Sequence, residues 1–378
     1  MTAPGKAAVV IGAGPAGLAA AAQLQKIGYA VVVIDKADSV GASWSHHYDR
    51  LHLHTSRSLS SLPGRPMPRR YGQWVARDHF REYLAEFATQ EKLDVRLGVT
   101  ASSVKREADG RWSVASSIGA LTAAALVIAT GYNHTAKLPD WPGLESYAGR
   151  VVHSSEYRNP AALDAQTVLV VGPGNSGAEI AAELADAGAT VDLAVRTPPN
   201  IVRRTMLGIP TQSLTLATYP LPTTVADRVA RVMQILTVGD LSRFGLTKPP
   251  RGVFSQQEYD DVTPTIDVGL IDSLRAGTIT IVRAVVSFTK DAVQLADGSS
   301  VSPDVVLVAT GYQRGLEPLV GDLGVVAPGG RPLINADEQL PGLEGLFFLG
   351  YSNPITGNIR QVGIDARKIG RRAKRLLA

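Results

Sequence analysis

Two sets of three glycines, each followed at a distance by one charged residue, are the part of this sequence best equipped for chemistry. Gly12, Gly14 and Gly17 follow the apolar run Ala7–Ile11, and Gly172, Gly174 and Gly177 follow Val168–Val171. Placed between a strand and a helix, such a triplet cradles the diphosphate of a dinucleotide. The first glycine permits the tight turn, the second lets the phosphates approach the backbone, and the third lets the helix pack close with its N–H groups facing the anion. After the first triplet, Tyr29–Asp35 ends in an acid; after the second, Ala189–Arg196 ends in a cation. A carboxylate suits the hydroxyls of a bare ribose, and a guanidinium suits a ribose phosphate. Different nucleotides are therefore expected in the two sites, FAD in the first and NADPH in the second.

The elements that must position these groups are strands, helices and sharp turns. Each triplet leads into an alanine-rich helical run, which brings Pro15 and Ala16 beside the first diphosphate and Asn175 and Ser176 beside the second. Two apolar runs, Leu121–Gly131 and Val305–Gly311, end in Ala-Thr-Gly, so Thr130/Gly131 and Thr310/Gly311 should close the two nucleotide-binding halves next to their cofactors. Lys36, Ser43 and Trp44 follow the first ribose acid and are expected against FAD. Gly350, Asn358 and Ile359, at the last strand and the start of a helix over Gly357–Leu377, complete that site. Arg50–Arg57 alternates like a strand and puts His52 and His54 on one face. His54 is expected near the cofactor, and no metal site is expected because no further ligand lies at metal spacing. Asp78–Thr89 reads as a helix burying Phe80, Tyr83, Leu84 and Phe87.

The pattern predicts an α/β protein with two Rossmann-like dinucleotide-binding domains, the second inserted in the first. Residues 1–165 plus 290–378 should form the FAD domain and 166–289 the NADPH domain. An insertion at about 197–263 is too long for an ordinary connection. In it Val225, Val229, Val232, Met233 and Leu236 fall at helical spacing and predict one apolar face. Such a lobe is placed to cap a substrate pocket or to form the contact of a homodimer.

Composition narrows the chemistry. The chain of 378 residues has no cysteine, which removes a redox-active disulfide, a cysteine-ligated iron–sulfur cluster and a cysteine nucleophile. Reduced flavin must pass its electrons elsewhere, and molecular oxygen leads the acceptors. The net charge of +4 fits two polyanionic cofactors, and no pattern points to nucleic acid. No apolar run approaches membrane-spanning length. The first apolar run is already the strand before Gly12, so a cytoplasmic protein is expected.

Between the first Ala-Thr-Gly and the second triplet lies Tyr147-Ala-Gly-Arg-Val-Val-His-Ser-Ser-Glu-Tyr-Arg-Asn-Pro160. It resembles the signature of flavin-containing monooxygenases, with Gly149, His153, Ser154, Tyr157, Arg158 and Pro160 at the matching positions and Tyr147 in place of phenylalanine. Tyr157, where related Baeyer–Villiger enzymes usually carry tryptophan, favours that branch. The inserted segments Val202–Gly208 and Gly239–Pro249 are similar to the plant YUCCA-type enzymes, which oxidatively decarboxylate indole-3-pyruvate. The resemblance implies hydride transfer from NADPH to FAD and activation of O2 at flavin C4a as a (hydro)peroxide. One oxygen atom then passes to a small amine, sulfide or 2-oxo acid. Many members carry an asparagine that contacts the flavin–oxygen adduct; here Thr55, Ser56 and Arg57 occupy that place, which makes Thr55 and Ser56 candidates for the contact. His153, of a residue type that titrates near neutrality, is the third catalytic candidate. Arg196 is assigned to the 2′-phosphate, with Arg203 or Arg204 as helper. Two other readings stand beside the monooxygenase: an NADPH oxidase or reductase serving oxygen or a quinone, and a flavoprotein that senses NADPH without turnover.

Overall fold

Two five-stranded parallel sheets carry the chain, whose computed structural model describes residues 6–206 and 208–376. The first sheet runs Leu346–Phe348, Ala125–Ile128, Ala7–Ile11, Ala30–Ile34, Asp94–Arg96. The second runs Ile279–Arg283, Thr190–Val195, Thr167–Val171, Val305–Val308, Arg150–His153. Parallel strands are covered on both faces, which is why Ala125–Ile128 and Val305–Val308 are apolar and buried throughout. Each triplet opens a helix on its sheet, Pro15–Lys26 and Asn175–Asp186. Small side chains let the first of these pack close: Ala19, Ala20, Ala21 and Ala22 are buried, and the helix lies against the long helix Asn358–Arg375. The two halves repeat one plan, since each also has a three-stranded antiparallel sheet just before its Ala-Thr-Gly strand.

Several expectations change. Leu121–Gly131 is two strands. Gly119–Ala123 belongs to the small antiparallel sheet and Ala125–Ile128 to the large parallel one, with the break at Ala124. The domain limits at 165/166 and 289/290 shift, because Arg150–His153 and Val305–Val308 both pair within the second sheet. Arg50–Arg57 is largely irregular, with only an isolated bridge between His52 and Ala76. The C-terminal helix spans Asn358–Arg375, and Leu377, expected as its end, lies outside the described residues, as does Leu207.

Both crossings between the halves run side by side. Thr135–Ala136 and Tyr312–Gln313 pair antiparallel, and the ribbon is extended by Lys137 N–H to Gly311 O at 3.0 Å and His134 N–H to Gln313 O at 3.2 Å.

The insertion folds as helices Thr211–Thr218, Thr223–Thr237 and Val253–Asp260, rooted by strand Ile201–Arg203 on Thr265–Asp267. The expected single apolar face is split. Val229 and Met233 line an internal cavity, whereas Val225, Val232 and Leu236 are exposed, Leu236 by 75%. Among the described residues no helix is long and apolar enough to cross a membrane.

Candidate active site

The glycines of the two cradles do the same three jobs. At Gly12 and Gly172, φ of 115° and 109° puts the backbone in the region that favours glycine, and a Cβ would collide with the carbonyl of Ala129 or Ala309, just past the end of the adjacent strand. At Gly17 and Gly177 a Cβ would fall under 3.0 Å from the carbonyl oxygen of Gly12 or Gly172, so these positions set how close helix and strand lie. At Gly14 and Gly174 a Cβ would meet nothing within 4 Å, which is the open ground a diphosphate needs. Each faces the first turn of a helix, where free N–H groups and the helix dipole favour an anion.

The charged residues after the cradles are held alike by the backbone. Gly12 N–H donates to Ile34 O at 2.8 Å, and Gly172 N–H to Ala194 O at 3.1 Å, which brings Asp35 and Arg196 close behind the turns. Asp35 is oriented further: Oδ2 accepts from Ala13 N–H at 2.6 Å and Oδ1 from Ala37 N–H at 2.9 Å. Arg196 is exposed and makes no ion pair among the described residues.

A cavity of about 980 Å³, roofed by the inserted lobe, runs from the first cradle to Asn175 and Ser176 of the second, whose glycines Gly172, Gly174 and Gly177, with Arg196, lie off its wall. At that volume the cavity is at the upper end of the range for small-molecule sites. Gly12, Gly14, Pro15, Ala16, Asp35, Lys36, Ser43, Trp44, His54, Thr55, Thr130 and Gly131 line it, with Gly350, Asn358 and Ile359 from the C-terminal segment and Asn175 and Ser176 from the second half. Trp44 is braced edge-on by Phe80, ring centroids 4.6 Å apart. Thr130 is fixed by Tyr351, whose hydroxyl lies 2.8 Å from Thr130 Oγ1. The Asn175 side chain is spent on structure: Oδ1 accepts from Ile266 N–H at 2.7 Å.

Other expected site residues lie off the wall. His153 is buried, its Nε2 donates to Gly311 O at 3.1 Å, and its Nδ1 accepts from Ser155 N–H at 3.1 Å. Burial lowers its pKa, disfavouring the charged ring. With both nitrogens occupied, it fastens the crossing at Gly311 and has none left for a substrate. Ser56 is also buried, and its N–H donates to Gln212 Oε1 at 3.0 Å. Arg203 sits 2.9 Å from Asp267 Oδ2 and 3.2 Å from Asp272 Oδ1, so its charge is used inside the protein. Thr310 bonds Lys137 O and, with Gly311, serves the crossing.

Two residues overlooked in the sequence organise the junction. Glu179, buried in the second cradle helix, accepts from Tyr48 Oη at 2.7 Å and pairs with His54 Nε2 at 2.9 Å. Two acids four residues apart on one side of an alanine-rich helix, Glu179 and Glu183, were the available signal. Gln212 on the lobe reaches both parts of the first half, accepting from Ser56 and donating through Nε2 to Thr356 O at 2.7 Å. Nothing in the sequence marks it.

His47 on the cavity wall makes the fold sensitive to acid. Burial, then Arg77, Arg158 and His46, push its pKa down to about 4 from 6.5. As pH falls through 6.5 the unfolded chain takes up a proton that the folded chain refuses until about pH 4. Stability is therefore lost between those values and not gained. His153, shifted the same way by burial, adds to the slope. Thermal melts of His47→Gln are expected to show a shallower fall in Tm between pH 6.5 and 4.5 than the parent; parallel curves would remove His47 as a cause.

Comparison with known proteins places this geometry. Residues 9–209 match the family model described as pyridine nucleotide-disulphide oxidoreductase, to which the chain belongs. Indole-3-pyruvate monooxygenase YUCCA1 of Oryza sativa subsp. japonica is 34% identical over 91% of this chain and 86% of its own length; YUCCA4 of the same organism is 32% identical over 96% and 86%. The flavin-containing monooxygenase of Stenotrophomonas maltophilia superposes with a TM-score of 0.72 at 27% identity, covering 96% of this chain and 97% of that one. The protein is a YUCCA-like flavin monooxygenase that uses FAD and NADPH, with O2 and a small molecule as its substrates. The residues fit those cofactors on their own geometry, through two open diphosphate cradles, one backed by a fixed carboxylate and the other by a guanidinium with no ion pair among the described residues.

Proposed function

We propose that the enzyme oxidatively decarboxylates a small aromatic 2-oxo acid, with indole-3-pyruvate as the leading substrate. The observation that carries this reading is the wall the lobe contributes to the cavity. Leu214, Ala217, Val229, Met233 and Phe254 present an apolar surface opposite the cradles, suited to a flat aromatic group. The indole-3-pyruvate monooxygenases among its relatives act on a substrate of that kind. In balance, a 2-oxo acid, O2, NADPH and a proton give the carboxylic acid one carbon shorter, CO2, NADP⁺ and water.

FAD and NADPH supply the reducing equivalents and the activated oxygen. In this reading Gly12, Gly14, Pro15, Ala16 and Gly17 hold the FAD diphosphate, Asp35 and Lys36 its ribose end, and Ser43, Trp44, His54, Thr130, Gly131, Gly350, Asn358 and Ile359 the rest. Gly172, Gly174, Ser176 and Gly177 hold the NADPH diphosphate and Arg196 the 2′-phosphate. Thr55, the one expected catalytic residue on the cavity wall, has its Oγ1 2.7 Å from Ser60 Oγ, which fixes its hydroxyl toward the first half. The lobe, latched by Gln212, keeps water from the reacting centre. A reaction that consumes NADPH calls for a compartment that regenerates it, and on that ground we place the enzyme in the cytoplasm. The test is stoichiometric: with indole-3-pyruvate, and with catalase present so that free peroxide cannot decarboxylate the 2-oxo acid, CO2 should appear one for one with NADPH consumed. NADPH consumption with no CO2, no effect of the acid and half the oxygen returned through catalase would overturn the reading in favour of an oxidase.

A further inference from the structure

Arg204 is a cation in the cavity with no ion-pair partner of its own among the described residues. It lines the cavity half-buried, follows strand Ile201–Arg203, and makes no hydrogen bond or ion pair through its guanidinium among the described residues. Its guanidinium carbon lies 4.8 Å from the centroid of the Trp74 ring, a contact that steadies the head group without using its N–H donors. The charged groups around it are Glu179, Arg50 and Asp267. Each is already engaged: Glu179 with Tyr48 and His54, Arg50 with Asp186 at 3.0 Å, and Asp267 with Arg203. Burial lowers the pKa of Arg204, the sign of a charge that has lost water and gained too little in return. A half-buried guanidinium kept without a partner is costly unless a ligand supplies the anion.

We infer that Arg204 is the anchor for the substrate's carboxylate, gripping it while the aryl group lies on the apolar wall formed by the lobe. The inference rests on the 2-oxo acid reading above and adds to it the residue that selects acids over neutral compounds. Arg203 and Arg204 then divide the work: neighbours on one extended segment, they point apart, one into Asp267 and Asp272 and the other into the cavity. The rival anion is a phosphate of NADPH, and the test separates the two.

The experiment measures equilibrium binding to the flavin-loaded enzyme, read from the flavin absorbance change. Two unreactive probes of equal shape are used, indole-3-propionate and indole-3-propionamide, and NADPH binding is measured alongside. The parent should bind the acid about tenfold or more tightly than the amide. Arg204→Gln should bring the acid to the level of the amide without moving the amide or the NADPH dissociation constant, and Arg204→Lys should restore part of the preference. Equal binding of acid and amide by the parent would overturn the inference, as would weakened NADPH with unchanged acid binding in Arg204→Gln. Flavin content confirms that each variant is folded, and Arg204→Lys keeps the test open should Arg204→Gln fail to load. CO2 release by the parent is scored separately. Acid preference without CO2 would retain the anchor and fell the proposed reaction; CO2 without acid preference would do the reverse.

Discussion

Protein carrying Gly17→Ala is expected to emerge without flavin and largely insoluble. The added methyl would sit under 3.0 Å from the carbonyl of Gly12 and 3.2 Å from the Val10 side chain. Both belong to the turn and strand that define the first cradle, so neither can yield without opening it. Overpacking against a side chain typically costs about 1–3 kcal/mol. Here the obstacle is backbone at the centre of the sheet, and a cost of about 4 kcal/mol or more is expected. The helix Pro15–Lys26 must lift, and the N–H groups that face the diphosphate lift with it. Gly177→Ala is the matched variant, since its methyl meets Gly172 O in the same way but in the other half. It should retain flavin while losing reduction by NADPH, with reduction by dithionite intact. The ratio of flavin to protein absorbance and anaerobic reduction traces read both outcomes. Full flavin loading of Gly17→Ala would refute the assignment of the first cradle.

The second large effect is expected at Arg196. A charge-assisted contact to a phosphate is worth about 1.5–3 kcal/mol, or roughly tenfold to a hundredfold in binding. Arg196→Ala should therefore raise the Michaelis constant for NADPH by that factor and leave the constant for NADH near its parental value. Because Arg196 is exposed and joined to no acid among the described residues, the substitution disturbs no internal pair and the fold is expected to stand. Equal losses with both nucleotides would withdraw the assignment.

The cradles were legible in the sequence because everything that makes them is local. A turn with positive φ, a helix start and a close approach are written within six residues, and the charge that follows is one strand away. What depended on distant partners was not legible. Arg203 and Arg204 are identical in type, and Asp267, some sixty positions later, decides that the first is structural. The stripe on Thr223–Thr237 reads as one apolar face because residues that line a cavity and residues left in solvent follow the same helical period. Leu121–Ile128 reads as one strand because the break at Ala124 carries no glycine or proline. The domain limits were misplaced because a parallel sheet recruits strands from far along the chain, and the sequence around Arg150–His153 does not name its neighbour Val305–Val308. His153 matched a motif, yet its own side chain fastens the crossing at Gly311, while Ser155 and Arg158 of the same motif line the cavity.

The bonded pair of crossings has a mechanical consequence. Two separate tethers would let one half slide, turn or tilt over the other. A narrow antiparallel ribbon resists shear along its length, because sliding Thr135–Ala136 past Tyr312–Gln313 breaks its hydrogen bonds, whereas flexing across its plane breaks none. His153, gripping Gly311 from the second half, pins one end of the ribbon. The pair thus acts as a rail against sliding, and any swing of one cradle from the other must also part the bonds of Glu179 with Tyr48 and His54 and of Gln212 with Thr356.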